Sequence, residues 1–256
     1  MEFVMAGLPA HAFWAAIAVT LFAGFVKGAI GFAMPLIMVS AFSSFLPPEL
    51  ALAGLILPTL ITNLSQAFRQ GVWPAVASAR KYYRYLIGTV VFIVVSAQFV
   101  HVLPQAALLL ALGVLITAFV LYQLSGLRLA IAPNWRGPVE WLAGVLGGLY
   151  GGVSGIWGPP LIVYLLAIDT EKLESIRVQG VVFLIGAVVL TSAHLQSGVL
   201  NGSTLPFSAF LVLPAVLGMR IGYAVQDRLD QKRFRRWTQI LLLLTGLNLL
   251  RRAAGL

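Results

Sequence analysis

The sequence predicts an all-α polytopic membrane protein with two inverted-topology repeats of five helical segments each. Three observations carry this prediction: the composition, the recurrence of apolar runs and a duplicated glycine pattern. Of the 256 residues, 60% are hydrophobic and 10% are charged, whereas average soluble domains carry about 25% charged residues. Apolar runs recur from residue 11 to residue 250, and each can cross or enter a bilayer.

The apolar runs divide into five segments in each repeat, and together they form one integral membrane domain. In the first repeat, residues 1–130, the segments cover about 10–27, 32–46, 50–69, 82–102 and 104–124. In the second repeat, residues 131–256, they cover about 138–153, 159–168, 177–197, 205–226 and 237–254.

Two glycine-rich passages carry the evidence for duplication. The first runs from Gly24 to Pro35 and the second from Gly151 to Pro160. Three glycines of the first passage match three of the second at one constant offset, about half the chain: Gly24, Gly28 and Gly31 against Gly151, Gly155 and Gly158. The same offset pairs Gly71 with Gly198. Internal duplication is typical of secondary transporters.

The basic residues predict the orientation of the segments. They cluster in 69–84, 125–137, the loop near 170 and 227–236, and one topology places all four stretches on the same side. That side is expected to be the cytoplasm, which leaves both termini outside and makes the repeats inverted. Cytoplasmic basic loops also explain the net charge of +9, so we expect no nucleic-acid partner.

The first two segments of each repeat are expected to be short. Segment 159–168 supplies about ten residues, roughly 15 Å of helix, which cannot cross a core about 30 Å thick. Two interpretations remain: a re-entrant hairpin with its glycine-rich tip near the midplane, or two short tilted crossings with the tip at the surface. We favour the hairpin, because transporters place binding sites at irregular backbone that lines a cavity.

The two tips have the chemistry of an anion site. Their glycines allow close backbone approach and positive φ: Gly28, Gly31, Gly155 and Gly158. Pro35 and Pro159-Pro160 follow the tips, where proline suits the first turn of a helix. Two helix N-termini would then direct N–H groups and positive dipole ends at a common centre. The alternative is that these glycines only allow tight helix packing.

Three side chains near the tips are candidate ligands. Lys27 is a cation deep in the first repeat, and buried charges in membranes are usually functional; its alternative role is to snorkel to the interface. Ser154 occupies the equivalent position in the second repeat. Trp157 can line the site or belong to an interfacial aromatic belt.

A polar stripe is predicted on segment 50–69. Its members recur at i, i+3, i+4 and i+7 and share one helix face: Thr59, Thr62, Asn63 and Gln66. The stripe lines a pathway or forms interhelical hydrogen bonds; we assign Asn63 and Gln66 to substrate binding and both threonines to the pathway. A weaker counterpart in the second repeat comprises Gln179, Thr191 and His194.

Several chemistries are not expected. All acidic residues fall in loops or at segment ends: Glu2, Glu49, Glu140, Asp169, Glu171, Glu174, Asp227 and Asp230. Proton coupling through a carboxylate is therefore not expected, which leaves facilitated export, Na⁺ coupling through carbonyls, or proton coupling through Lys27 or His194. The histidines, His11, His101 and His194, lack carboxylate partners, so we expect no metal, no cofactor and no enzyme activity.

These residues resemble the TauE/SafE family of sulfite and organosulfonate exporters. The resemblance rests on Gly24–Pro35 and Gly147–Pro160, with support from Gly218-Met-Arg-Ile-Gly222, Arg228-Leu-Asp and Phe234-Arg-Arg near the end. It covers nearly the whole chain and implies small-anion transport across a bacterial cytoplasmic membrane. The chain departs from the glycine-richer pattern: Phe32-Ala-Met follows Gly31, and Pro159-Pro160 follows Gly158.

The function predicted from the sequence is export of a small anion by alternating access, with a site between the two tips. Sulfite or an organosulfonate such as sulfoacetate is the expected substrate. The alternatives are an anion channel, an importer of another small oxyanion and, least favoured, a membrane-embedded enzyme. The expected partners are the anion and the lipid bilayer, and a homo-oligomer is left open.

Overall fold

The computed structural model describes residues 7–97, 105–126, 130–154 and 157–255. Within these ranges the chain forms eleven α-helices and one short 3₁₀ turn, with no strand, which confirms the all-α prediction. The first six helices are α1 (Ala10–Ile30), α2 (Met34–Phe42), α3 (Pro48–Phe68), α4 (Val72–Lys81), α5 (Tyr83–Ala97) and α6 (Gln105–Leu124). The remaining five are α7 (Arg136–Ser154), α8 (Gly158–Ala167), α9 (Lys172–Gln196), α10 (Leu205–Arg228) and α11 (Gln231–Ala253).

Four of the described helices are long and apolar enough to cross a membrane. They lie at Ala10–Ile30, Glu49–Phe68, Lys172–Gln196 and Leu205–Arg228. Helices α2 and α8, with 9 and 10 residues, reach only about 15 Å. The second segment of each predicted repeat is therefore short, as expected. The depth of these segments in the bilayer stays a prediction.

Helix α1 departs from the expectation that the first segment is short. It has 21 residues, about 31 Å of helix, and it continues through Lys27 and Gly28 to Ile30. The helix ends where Gly31 adopts φ 100°, a left-handed conformation that glycine adopts readily. The chain therefore turns three residues later than the apolar run alone suggested.

Other helix ends also differ from the apolar runs. The basic stretch after residue 69 contains α4, a ten-residue helix with Arg80 and Lys81 in its last turn. Helices α9 and α11 begin at Lys172 and Gln231, several residues before their apolar runs. Hydropathy marks the hydrocarbon region, whereas a helix extends until its backbone groups are capped.

The chain forms two compact units, the first of which comprises residues 1–75 and 180–230. In this unit α1 packs along α10, and α2 and α3 complete the core. A Cβ built on Gly28 would lie 2.2 Å from the Met219 carbonyl oxygen, and one on Gly218 would lie 2.0 Å from the Leu21 carbonyl oxygen. Glycine is therefore required for this close crossing of α1 and α10.

The second unit comprises residues 76–179 and 231–256. Here α5 packs along α7, α8 packs against α7, and α6 packs along α11. A Cβ built on Gly144 would lie 2.6 Å from the Tyr85 carbonyl oxygen, so α5 and α7 also approach closely at glycine.

The same pairing recurs in both units. Helices α1 and α7 are the first segments of the predicted repeats, and α10 and α5 are fourth segments. Each unit thus packs the first segment of one repeat on the fourth segment of the other. Such recurrence is what a duplication predicts, although the compact units do not follow the boundary at residue 130, and the division into repeats stays a prediction.

Candidate functional site

Lys27 is buried in the first unit. It lies in the last turn of α1 and is 1% exposed. Its Nζ donates a hydrogen bond to Thr62 Oγ1 at 2.9 Å and a second one to Asn63 Oδ1 on α3. The ammonium is directed into the protein between α1 and α3 and does not snorkel to a surface.

The two side chains that accept hydrogen bonds from Lys27 donate their own hydrogens to backbone carbonyls. Thr62 Oγ1 donates to the Pro58 carbonyl oxygen at 2.6 Å, and Asn63 Nδ2 donates to the Phe183 carbonyl oxygen on α9 at 3.0 Å. Each side chain therefore presents an oxygen lone pair to Lys27, and the Phe183 carbonyl fixes which way the Asn63 amide faces.

No carboxylate neutralises Lys27 within the described part of the chain. The ion pairs described there join Arg69 to Asp227, Lys81 to Glu174 and Arg235 to Asp169. A buried cation held only by neutral oxygens is costly. An ammonium has three N–H donors, and Thr62 and Asn63 take two of them, which leaves one direction for an anion.

The backbone after α1 turns sharply beside this cluster. Gly31 donates its N–H to the Lys27 carbonyl oxygen at 2.6 Å, and Ala33 also has positive φ, at 75°. Helix α2 then starts at Met34 with Pro35 in its first turn, as predicted. Met34 Sδ lies 3.7 Å from Thr62 Oγ1, so the N-terminus of α2 is beside the hydroxyl that contacts Lys27.

Two glutamines hold the C-terminal carbonyls of α1. Gln66 Nε2 donates to the Gly31 carbonyl oxygen at 2.9 Å, and Gln226 Nε2 donates to the Gly28 carbonyl oxygen at 2.8 Å. Carbonyls at a helix end lack partners within the helix, and these bonds satisfy them. Sequence reasoning missed Gln226, although its position as the polar last residue of an apolar run was a usable signal.

The glycines of the first tip have separate roles. Gly28 lies inside α1 and packs closely on α10, so it allows close backbone approach and does not need positive φ. Gly31 alone of these two has positive φ and forms the turn. Gly28 is therefore needed for close helix packing, and Gly31 is needed for positive φ in the turn.

The polar stripe on α3 is buried within the protein. Thr59, Thr62, Asn63 and Gln66 are between 0% and 4% exposed. Thr62 and Asn63 contact Lys27, and Gln66 contacts the turn after α1. The stripe therefore faces protein and not lipid. Thr59 Oγ1 has no hydrogen-bond partner in the described part of the chain.

The predicted pathway residues on α9 do not join the Lys27 cluster. Gln179 Nε2 donates to Ser175 Oγ at 3.2 Å, and Thr191 Oγ1 donates to the Ala187 carbonyl oxygen at 2.7 Å; both bonds stay within α9. His194 is half-buried near the end of this helix. His101 lies outside the described residues.

The second tip lies in the second unit. Trp157 precedes α8 and is half-buried, and its carbonyl oxygen accepts the Tyr85 hydroxyl at 2.9 Å. Gly158 opens α8 with Pro159 and Pro160 in the first turn, as predicted. Ser154 ends α7, and Gly155 lies outside the described residues.

A family model described as sulfite exporter TauE/SafE matches residues 16–249. The chain belongs to the TauE/SafE family. This confirms the resemblance and, with the long apolar helices, makes the chain a multi-pass membrane protein of a transporter family. No curated protein and no solved structure matches the chain.

One buried carboxylate in this TauE/SafE protein was not anticipated. Glu140 was expected in a loop or at a segment end; it lies near the start of α7 and is 4% exposed. Its Oε1 accepts the backbone N–H of Tyr85 at 3.2 Å, and its Oε2 accepts the Tyr164 hydroxyl at 3.5 Å. Tyr85 lies in the first turn of α5, so Glu140 caps that helix from α7.

Proposed function

We propose that this TauE/SafE protein exports a small oxyanion, sulfite or an organosulfonate such as sulfoacetate, from the cytoplasm of a bacterium by alternating access. The observation that carries the proposal is the buried side-chain nitrogen of Lys27, which only neutral oxygens contact in the described chain. An anionic substrate would supply the countercharge that the protonated form of Lys27 needs. Family membership supports transport, and the Lys27 environment supports an anion as the cargo.

The site would bind oxyanion oxygens through two kinds of donor. The third N–H of Lys27 forms a charge-assisted hydrogen bond. The first turn of α2 supplies N–H groups that have no partner within the helix. Asn63 and Gln66 act through Lys27 and the Gly31 turn, since their hydrogen bonds fix the ammonium and the backbone beside it.

The second glycine-rich tip is included in the proposal only because the duplication makes it the equivalent of the first tip. Ser154, Gly155, Trp157 and Gly158 would be the ligands of the second repeat. Thr59, Thr62, Gln179, Thr191 and His194 would line the pathway. The basic stretches 69–84 and 227–236 would face the cytoplasm, with both termini outside.

Flux into proteoliposomes tests the proposal. The purified chain is reconstituted, and uptake of sulfite, sulfoacetate, thiosulfate, sulfate and chloride is followed separately. We expect flux of at least one sulfur oxyanion that saturates with concentration, because a carrier has a finite number of sites. Flux that rises linearly with concentration would favour a channel, and failure to move any of the anions would overturn the proposal.

A further inference from the structure

The hydrogen bonds of Lys27 match the donors of a neutral amine. A neutral primary amine has two N–H groups and one lone pair, whereas an ammonium has three N–H groups. The described chain offers Lys27 two acceptors, Thr62 Oγ1 and Asn63 Oδ1. A neutral amine at this position would have both of its N–H groups satisfied by these acceptors and would keep its lone pair for a proton.

The charged groups around α1 do not stabilise an ammonium at this position. On α10, Arg220 is exposed and cationic, and Tyr223 lies under the Arg69 guanidinium at 3.8 Å. Asp227 forms its ion pair with Arg69 at 2.8 Å.

The other charged groups on these helices do not contact Lys27 either. Arg228 is exposed at the end of α10, and Glu49 is exposed in the first turn of α3. Helix α2 carries no titratable side chain, and on α9 the nearest titratable residue of this unit is His194, eleven positions beyond Phe183. A buried charge without a partner neutralises more readily than it persists.

We propose that anion binding is coupled to protonation of Lys27, so that the site is a neutral amine without substrate and an ammonium–anion pair with it. This inference rests on the proposed function, because it concerns the same site. A proton from solution binds the amine lone pair, and the new N–H donates to the anion. No covalent bond to the substrate forms, and a loaded monoanion site is electrically neutral.

The coupling gives transport a proton stoichiometry. Each anion that leaves its aqueous phase through this site takes one proton with it and releases the proton on dissociation. By linkage, anion affinity falls with rising pH wherever the substrate-free site has lost its proton, with a limiting slope of about tenfold per pH unit. Carboxylates of the protein are not needed for this coupling.

Isothermal titration calorimetry measures the proton count directly. Sulfoacetate is the probe, because both of its acidic groups stay ionised between pH 6 and 9. The titration is run on the full chain in detergent, at several pH values and in buffers of different ionisation enthalpy. We expect net proton uptake that approaches one per anion at the high-pH end, with weaker binding there.

The variant Lys27→Arg separates Lys27 from other proton acceptors, because an arginine stays charged throughout this range. Its binding should be independent of pH and without proton uptake. Lys232→Arg is the matched control at an exposed lysine and should behave like the parent chain. If Lys27→Arg does not fold or bind, the number of protons taken up per anion by the parent chain decides whether binding is coupled to protonation.

The outcomes separate the two proposals. Sulfoacetate binding with no proton uptake and constant affinity from pH 6 to 9 would overturn the coupling and leave anion transport standing. Proton uptake that persists in a binding-competent Lys27→Arg would also overturn it. The absence of any anion binding would overturn both the coupling and the proposed function.

Discussion

Replacement of Lys27 by methionine removes the charge and keeps a chain of similar volume. The cost to anion binding follows from one lost hydrogen bond to a charged group, about 1.5–3 kcal/mol, which is about 10- to 150-fold in affinity. Protein stability should change little, because two effects oppose each other. Asn63 Oδ1 loses its donor, at a cost of about 1–3 kcal/mol, whereas a costly buried polar group disappears.

Two measurements on Lys27→Met test this reasoning. Sulfoacetate and sulfite affinity is measured by calorimetry, and the melting temperature is measured on the same preparation. Lys232→Met, at an exposed position, is the control for loss of a lysine charge. Unchanged anion affinity in Lys27→Met would refute the role of Lys27 as a ligand. A collapse of the melting temperature with unchanged affinity would assign Lys27 a structural role.

Three further predictions concern a helix crossing, the Lys27 cluster and a helix cap. Gly28→Ala places a Cβ 2.2 Å from the Met219 carbonyl oxygen and should cost about 1–3 kcal/mol of stability in thermal unfolding; the control Gly202→Ala, with no atom within 4 Å, should be neutral, and equal melting temperatures would contradict the packing role. Asn63→Leu removes the acceptor of Lys27 and the donor to Phe183, so anion affinity and melting temperature should both fall, and a fall in neither would refute the cluster. Glu140→Gln weakens the cap of α5 and should lower stability by about 0.5–2 kcal/mol, whereas Glu171→Gln at an exposed site should not; equal effects of the two would show that Glu140 caps nothing.

Periodicity in the sequence predicted the helices and one face of α3. The i, i+3, i+4, i+7 spacing placed Thr62, Asn63 and Gln66 together, because that argument needs only the geometry of a single helix. It could not give their partners, because Lys27 and Gly31 lie on another helix and its following turn. Contacts between segments far apart in the chain depend on helix crossing, which hydropathy does not encode.

The glycine pattern shows the same limit. Gly28 and Gly31 read alike in the sequence, yet Gly28 packs α1 on α10 and Gly31 forms the turn. Their difference follows from where α1 ends, at Gly31, and Gln66 and Gln226 donate hydrogen bonds to carbonyls at that end. Glu140 was misjudged for a related reason: it lies near the start of α7, but the first turn of α5 covers it.

The proposed function requires a sulfur oxyanion to bind at Lys27. The most direct test is an experimental structure of the protein with selenite, an analogue of sulfite whose selenium gives an anomalous signal. We expect an anomalous peak beside the start of α2, at a distance that places a selenite oxygen about 2.7–2.9 Å from Lys27 Nζ. A single strong peak elsewhere, with no anion at Lys27, would contradict it.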